Sequence, residues 1–357
     1  MAATDVETRP PPARRTDLIG LGALLVAGAL VAAIGMRLIT GSLAVLATVL
    51  LLAVVLGLVF AAAAGSPETR RRLAPYGLLK PGMLWLALFY LAPLFTLLRA
   101  SLSTLPSRFA VEAKFDWNFG NYADAFSDFG AQFGRGFAYA GIATLLCVVI
   151  GYPLAYVIAF RGGRWRNVLL GLVVVPFFTS YLIRTIAWSS LLSDSGPIVG
   201  TIDVLHLTGL FEAAGIMDNG RLINTAAAVI GGLTYNFLPF MILPIYVSLE
   251  KINPALVEAA KDLYSPAPSA FRRIVLPLSL PGVFAGTLLT FIPAAGDFIN
   301  ARFLGGPNNT MIGTVVQDRY LVQLDYPTAA ALSFILMAII TVGVLVYARL
   351  LGTEDLV

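Results

Sequence analysis

Two ionisable residues stand inside otherwise apolar runs of this chain. Arg184 lies in VPFFTSYLIRTIAW (175–188) and Asp297 in FIPAAGDFINARF (291–303). A charge at the centre of a bilayer costs about 2.5–3.5 kcal/mol on insertion scales, so a buried charge there is a candidate for function. A carboxylate such as Asp297 can attract a cationic solute, an ammonium group for example. Tyr181, Trp188, Tyr235 and Asn236 can line the same path through cation–π contacts and hydrogen bonds. Alternatively, Arg184 and Asp297 neutralise each other. At about 1.5 Å per residue both lie at similar depth in the outer half of their segments, so they can pair across a helix interface.

Other chemistries find little support. The single histidine, His206, sits in a polar loop, and the single cysteine, Cys147, sits in an apolar run. They supply neither a metal-ligand set nor an intrachain disulfide. No G-x-x-x-x-G-K-[ST] phosphate loop occurs, and no polar block is long enough to fold as an ATPase domain. FLGGPNNTMIG (303–313) carries turn chemistry and lacks the phosphate-loop lysine. We therefore expect no catalytic residues, no metal and no cofactor on this chain.

A second stretch, EAAKDLYSPAPSAFRRIVLPLSLPG (258–282), concentrates charges and prolines between two apolar blocks. Just before it, Asn253 can cap a helix whose first residue is Pro254. Glu258 and Asp262 share a face, and Leu256, Ala260 and Leu263 form an apolar stripe. SPAP ends the helix. The pattern alone fits either a surface helix with a purpose or an ordinary connecting loop.

These groups need elements to hold them. The 357 residues are 58% hydrophobic and 12% charged, about half the usual charged share of roughly 25%. Such a chain belongs in a bilayer. Apolar runs long enough to cross it as helices fall at about 18–36, 42–64, 81–99, 137–160, 168–192, 223–249, 282–301 and 328–351. The fold class is an all-α integral membrane bundle of about eight transmembrane helices. Arginine and lysine crowd the tail before the first run, the TRRR loop after the second, RGGRWR (161–166) and the loop around Lys251, Lys261, Arg272 and Arg273. With eight spans all of these lie on one side. That side is the cytoplasm, with both termini. The net charge of +4 is then loop bias, and no nucleic acid is expected. The first run exceeds a signal-peptide core, so we expect it to be retained.

Read residue by residue, EAAKDL followed by FRRIVLPLSLPG resembles the EAA loop of type I ATP-binding-cassette importer permeases. GYPLAYVIA (151–159), VPFFTSYLIRTIAW, LPFMILPIYVSLEKI (238–252) and FIPAAGDFINARFLGGPNNTMIG (291–313) resemble the spermidine/putrescine branch of that family. The resemblance covers about 81–351. It implies a six-helix permease core, preceded by a cytoplasmic tail (1–17), an added N-terminal hairpin (18–64) and a linker (65–80), and followed by a tail (352–357). The EAA loop, about 250–282, would be a coupling helix docked on a separate ATPase dimer, which carries the ATP and Mg. Glu258, Ala259 and Ala260 would be its core, with Lys261, Asp262, Leu263 and Tyr264 flanking. The resemblance also implies a second permease subunit, an extracytoplasmic solute-binding protein and a small solute, a polyamine first and other solutes next. FDWNFGNYADAF (115–126) resembles the family's segment facing the binding protein, and reads equally well as an interfacial aromatic belt. One departure stands out. The family usually has glycine where this chain has Tyr264. A left-handed turn is costly for an aromatic residue, so either the turn changes shape or SPAP takes over its work. A stand-alone secondary transporter would instead predict repeated broken helices, and no such repeat is evident.

Overall fold

The computed structural model describes residues 85–107 and 113–350. The predicted tail 1–17, hairpin 18–64, linker 65–80 and tail 352–357 lie outside the described residues. The chain divides into two units, Met1–Arg99 and Ala100–Val357. In the first, a π-helical turn at Ala87–Leu91 leads into α1 (Ala92–Ser101), so the described part of the predicted span 81–99 is helical.

The second unit opens with a two-residue antiparallel pairing of β1 (Ser103–Thr104) with β2 (Lys114–Phe115). α2 (Gly120–Arg161) follows, 42 residues long. At 1.5 Å per residue it runs about 63 Å, twice the hydrocarbon thickness. The predicted span 137–160 is therefore only its second half, and residues 120–136, read from sequence as loop, continue the same helix. Glycine, alanine and phenylalanine make up most of that extension and no proline interrupts it.

The predicted span 168–192 is corrected by the structure. α3 (Arg166–Val174) passes through a 3₁₀ turn (Val175–Phe178) and breaks before α4 (Tyr181–Leu191), with the two arms bent by 93°. Pro176 lacks the N–H that a continuous helix needs. Thr179 then takes extended angles, φ −96° and ψ 146°. Two short helices follow, α5 (Pro197–Val204) and α6 (Thr208–Ala213).

α7 (Ala226–Glu250) starts on a Thr225 cap, whose hydroxyl accepts the Ala228 N–H at 3.1 Å. Then come α8 (Pro254–Asp262), α9 (Ala267–Ala295), α10 (Ile299–Leu304), α11 (Ile312–Gln317) and α12 (Tyr326–Leu350). The seventh predicted span, 282–301, is shifted: its helix starts at Ala267 and stops at Ala295, leaving Asp297 just beyond the helix end. Among the described residues four helices are long and apolar enough to cross a membrane, or five if the bent pair counts as one.

α7 is the centre of this unit and packs against both α2 and α9. Small residues set the approach, as expected where helix association cannot draw on a hydrophobic drive. A Cβ at Gly282 would fall 2.5 Å from the Pro244 carbonyl oxygen, and one at Gly286 would fall 2.7 Å from Met241 Sδ. On α2, Ala140, Ala143 and Ala155 are fully buried. Cys147 is buried beside them, its thiol 3.4 Å from the Thr234 carbonyl oxygen.

Candidate functional site

The break in one span and the helix end of another meet in a polar network. The Tyr181 hydroxyl, on the first turn of α4, donates to Asp297 Oδ2 at 2.5 Å and accepts from Asn300 Nδ2 at 2.6 Å. The other carboxylate oxygen, Oδ1, accepts the Asn300 backbone N–H at 2.8 Å. Asp297 thus also holds the first turn of α10, whose N-cap position is Phe298. Asn300 Oδ1 accepts from Asn236 Nδ2 at 3.2 Å on α7, and the Thr185 hydroxyl lies 3.3 Å away. Asn300, Asn236, Thr185 and Asp297 are all buried. Buried polar groups are costly unless bonded. Here three segments share one set of bonds, and Asn300 is its hub.

Gly232 on α7 makes room for that hub: a Cβ there would sit 2.8 Å from Asn300 Oδ1 and 2.4 Å from Leu304 Cδ1. Gly313 does the same from α11, where a Cβ would fall 2.8 Å from the Asp297 carbonyl oxygen.

Of the six residues named from sequence, Tyr181, Asn236 and Asp297 therefore share one network. Arg184 does not join it as an ion pair. Its guanidinium carbon lies 5.4 Å from the Phe177 ring centre and 5.7 Å from that of Tyr181. Nε and Nη1 are buried without a hydrogen-bond partner among the described residues. Of the two readings, the Arg184–Asp297 pairing is not formed: Arg184 lies against the Phe177 and Tyr181 rings, and Asp297 bonds the Tyr181 hydroxyl instead. Trp188 and Tyr235 meet edge to face with centroids 5.3 Å apart, and Tyr235 is partly exposed. An open cleft of about 620 Å³ between α9, α11 and α12 is lined by Ile292, Phe298, Tyr320, Leu336 and Ile340 among others, and by none of the six.

Thr185 and Asn300 escaped the sequence reading. A signal existed: Thr185 lies four residues after Tyr181, and Asn300 three after Asp297, spacings that put side chains on one helix face.

The second candidate is α8. Its N-terminus is built as the sequence predicts: Asn253 Oδ1 accepts the Ala255 N–H at 3.0 Å and Pro254 opens the helix. The buried face differs from the predicted stripe. Ala260 is buried and Val257 packs on the apolar cluster of Tyr246, Leu249 and Ile252, whereas Leu256 and Leu263 are exposed. Glu258, Ala259 and Asp262 are exposed as well. Lys261 lies in the same helix.

Tyr264 answers the question its identity raised. Its φ is +55°, so the turn keeps the left-handed shape that glycine would take. The Ser265 N–H bonds the Ala260 carbonyl at 2.9 Å, the six-to-one closure of a Schellman cap with Tyr264 at the position usually given to glycine. The expectation of a changed backbone is corrected: the backbone is kept and the side chain, 96% exposed, stands in the open. Residues 266–270 then start the next helix and do not replace the turn.

Residues 127–351 match the family model described as "Binding-protein-dependent transport system inner membrane component". The chain is 36% identical over 267 residues to the spermidine/putrescine transport system permease protein PotB of Haemophilus influenzae, covering 74% of this chain and 90% of that one. It is 40% identical over 209 residues to PotB of Escherichia coli, covering 58% and 73%. Its backbone is similar to a chain of a bacterial alginate ABC transporter solved in complex with alginate pentasaccharide-bound periplasmic protein. That match has a TM-score of 0.52 and 19% identity, covering 80% of this chain and 96% of that one.

Proposed function

Because the chain belongs to the binding-protein-dependent transport system inner membrane components, we propose that it is the multi-pass membrane permease subunit of an ABC importer that carries a polyamine such as spermidine or putrescine. The observation that carries the reading is the 36% identity that runs through 90% of a spermidine/putrescine permease. The subunit itself is non-catalytic. A separate ATPase dimer holds ATP and Mg, a second permease completes the pathway, and an extracytoplasmic solute-binding protein delivers the solute. α8 lies on the cytoplasmic side with both termini.

In the cycle, nucleotide closes the ATPase dimer, α8 moves with it, and the pathway opens to the binding protein. Hydrolysis resets it. Such a cycle needs a membrane element with two states that ligands on both sides bias. The exposed surface of α8 supports the docking role: Glu258 and Asp262 offer charge, Ala259 permits close approach, and Leu263 and Tyr264 offer apolar area. Asp297, with Tyr181 and Asn236, supplies the polar ground of the solute path, and Trp188 and Tyr235 an aromatic wall suited to an ammonium group.

The test is uptake of labelled spermidine and putrescine by the reconstituted complex. Transport requiring ATP and the binding protein is expected, and Glu258→Lys should lose the ATPase on co-purification. Uptake driven by an ion gradient through this chain alone would overturn the reading.

A further inference from the structure

The turn between α2 and α3, Arg161–Arg166, has a shape that the transport reading does not use. Two glycines make it. A Cβ on Gly162 would fall 2.4 Å from the Ile158 carbonyl oxygen, and Gly163 has φ +45°. Of its three arginines, one turns inward: Arg166 Nη2 lies 2.6 Å from Glu250 Oε1, and its guanidinium carbon 5.0 Å from the centre of the Tyr246 ring. This pins the turn against the C-terminal end of α7. Arg161 and Arg164 remain exposed, with no ion-pair partner among the described residues. Arg164 lies 5.7 Å from the centre of the Trp165 ring, and that indole is 58% exposed.

Each of these groups ends an exposed apolar stripe. On α2, Ile150, Leu154 and Val157 lead at helical spacing to Arg161. On the α3 side, Trp165 is followed by Val168, Leu172 and Val175. α2 and α3 pack against each other, so the stripes run down neighbouring helices. The order along them is apolar wall, indole, then two cations without an acidic partner. A phospholipid presents the same order in complement: acyl chains, interfacial region, then phosphate. Guanidinium forks suit phosphate oxygens, tryptophan favours the membrane–water boundary, and basic pockets at helix ends select anionic headgroups.

We propose that this turn is a binding site for an anionic phospholipid, its phosphate held by Arg161 and Arg164 and its acyl chains lying on the Ile150–Leu154–Val157 and Val168–Leu172 stripes. The glycines set the spacing of the two cations, and the Arg166–Glu250 pair holds them at the end of α7, next to α8.

The experiment titrates the purified complex in detergent with phosphatidylglycerol and with phosphatidylcholine, and reads retained lipid by native mass spectrometry. Two guanidiniums at a headgroup favour the anionic lipid about thirtyfold. Arg161→Gln with Arg164→Gln should cut that preference to about threefold or less. Arg161→Lys with Arg164→Lys should keep most of it, and this variant guards against misfolding as the cause of a loss. Arg273→Gln, a cation on another element, should leave it unchanged. Undiminished preference in the glutamine pair overturns the proposal, and so does an equal loss in Arg273→Gln, which would mean diffuse surface charge. Cross-linking of a Val168→Cys variant to a partner chain would also overturn it, because protein would then cover the stripe.

Discussion

The Tyr181 hydroxyl reaches the Asp297 carboxylate at 2.5 Å across 116 residues of sequence. It joins the first turn after a broken span to a residue just past the end of another span. Tyr181→Phe removes the donor and leaves a buried carboxylate oxygen short of a partner. A hydrogen bond to a charged group is worth about 1.5–3 kcal/mol. We expect a lowered unfolding midpoint for the detergent-solubilised complex, with reduced uptake. A variant as stable and as active as wild type would mean that the pair contributes nothing to either.

Arg184 keeps a cation beside this network without a carboxylate to neutralise it among the described residues. If the solute is a polyamine, that charge repels it. Arg184→Gln should therefore lower the KM for spermidine, whereas Arg184→Lys should leave it near wild type. Concentration-dependent uptake in proteoliposomes reads the difference, and a raised KM in the glutamine variant would show that Arg184 helps the solute.

Tyr264 holds a left-handed turn that disfavours any residue with a Cβ by about 1–2 kcal/mol. Tyr264→Gly removes that strain and gives part of it back as unfolded-state entropy. A small rise in the unfolding midpoint should follow. Because the exposed ring is proposed to meet the ATPase, the same variant should retain less ATPase on co-purification. Gains in both stability and ATPase retention would remove the ring from the docking surface and leave only its strain.

Gly282 lets α9 lie on α7, with the Pro244 carbonyl oxygen 2.5 Å from where a Cβ would sit. Backbone cannot rotate away as a side-chain tip can. Gly282→Ala should cost about 1–3 kcal/mol through overpacking, seen as lower expression and a lower midpoint. Gly134→Ala, with open space around it, is the matched control and should behave as wild type.

Much of this was readable in the residues. The membrane class follows from composition. The cap and first residue of α8 follow from Asn253–Pro254, because capping is settled within four residues of chain. α7 and α12 lie close to their predicted spans, since long apolar runs without a break have one economical structure in a bilayer. Where the reading slipped, the deciding interaction was not local. The N-terminal half of α2 looks like loop by polarity, yet Phe133 and Ala125 bury against Ile312 and Leu332. Leu256 and Leu263 form a reasonable stripe by spacing, but the cluster that α8 meets lies on the side of Val257 and Ala260.

The candidate site divides the same way. By itself the sequence determined that Arg184 and Asp297 are charges in apolar surroundings, that EAAKDL is a capped, charged helix between two spans, and that Tyr264 is out of place for its turn. Only the tertiary structure decided that Arg184 lies against the Phe177 and Tyr181 rings, that Asn300 is the hub joining Tyr181 and Asp297 to α7, and that the Tyr264 backbone stays left-handed. The physical reason is range. Propensity, capping and hydropathy act over a few residues or one helix. The partners of a buried carboxylate are chosen by which helix ends the packing of small residues at Gly232, Gly282 and Gly313 brings together.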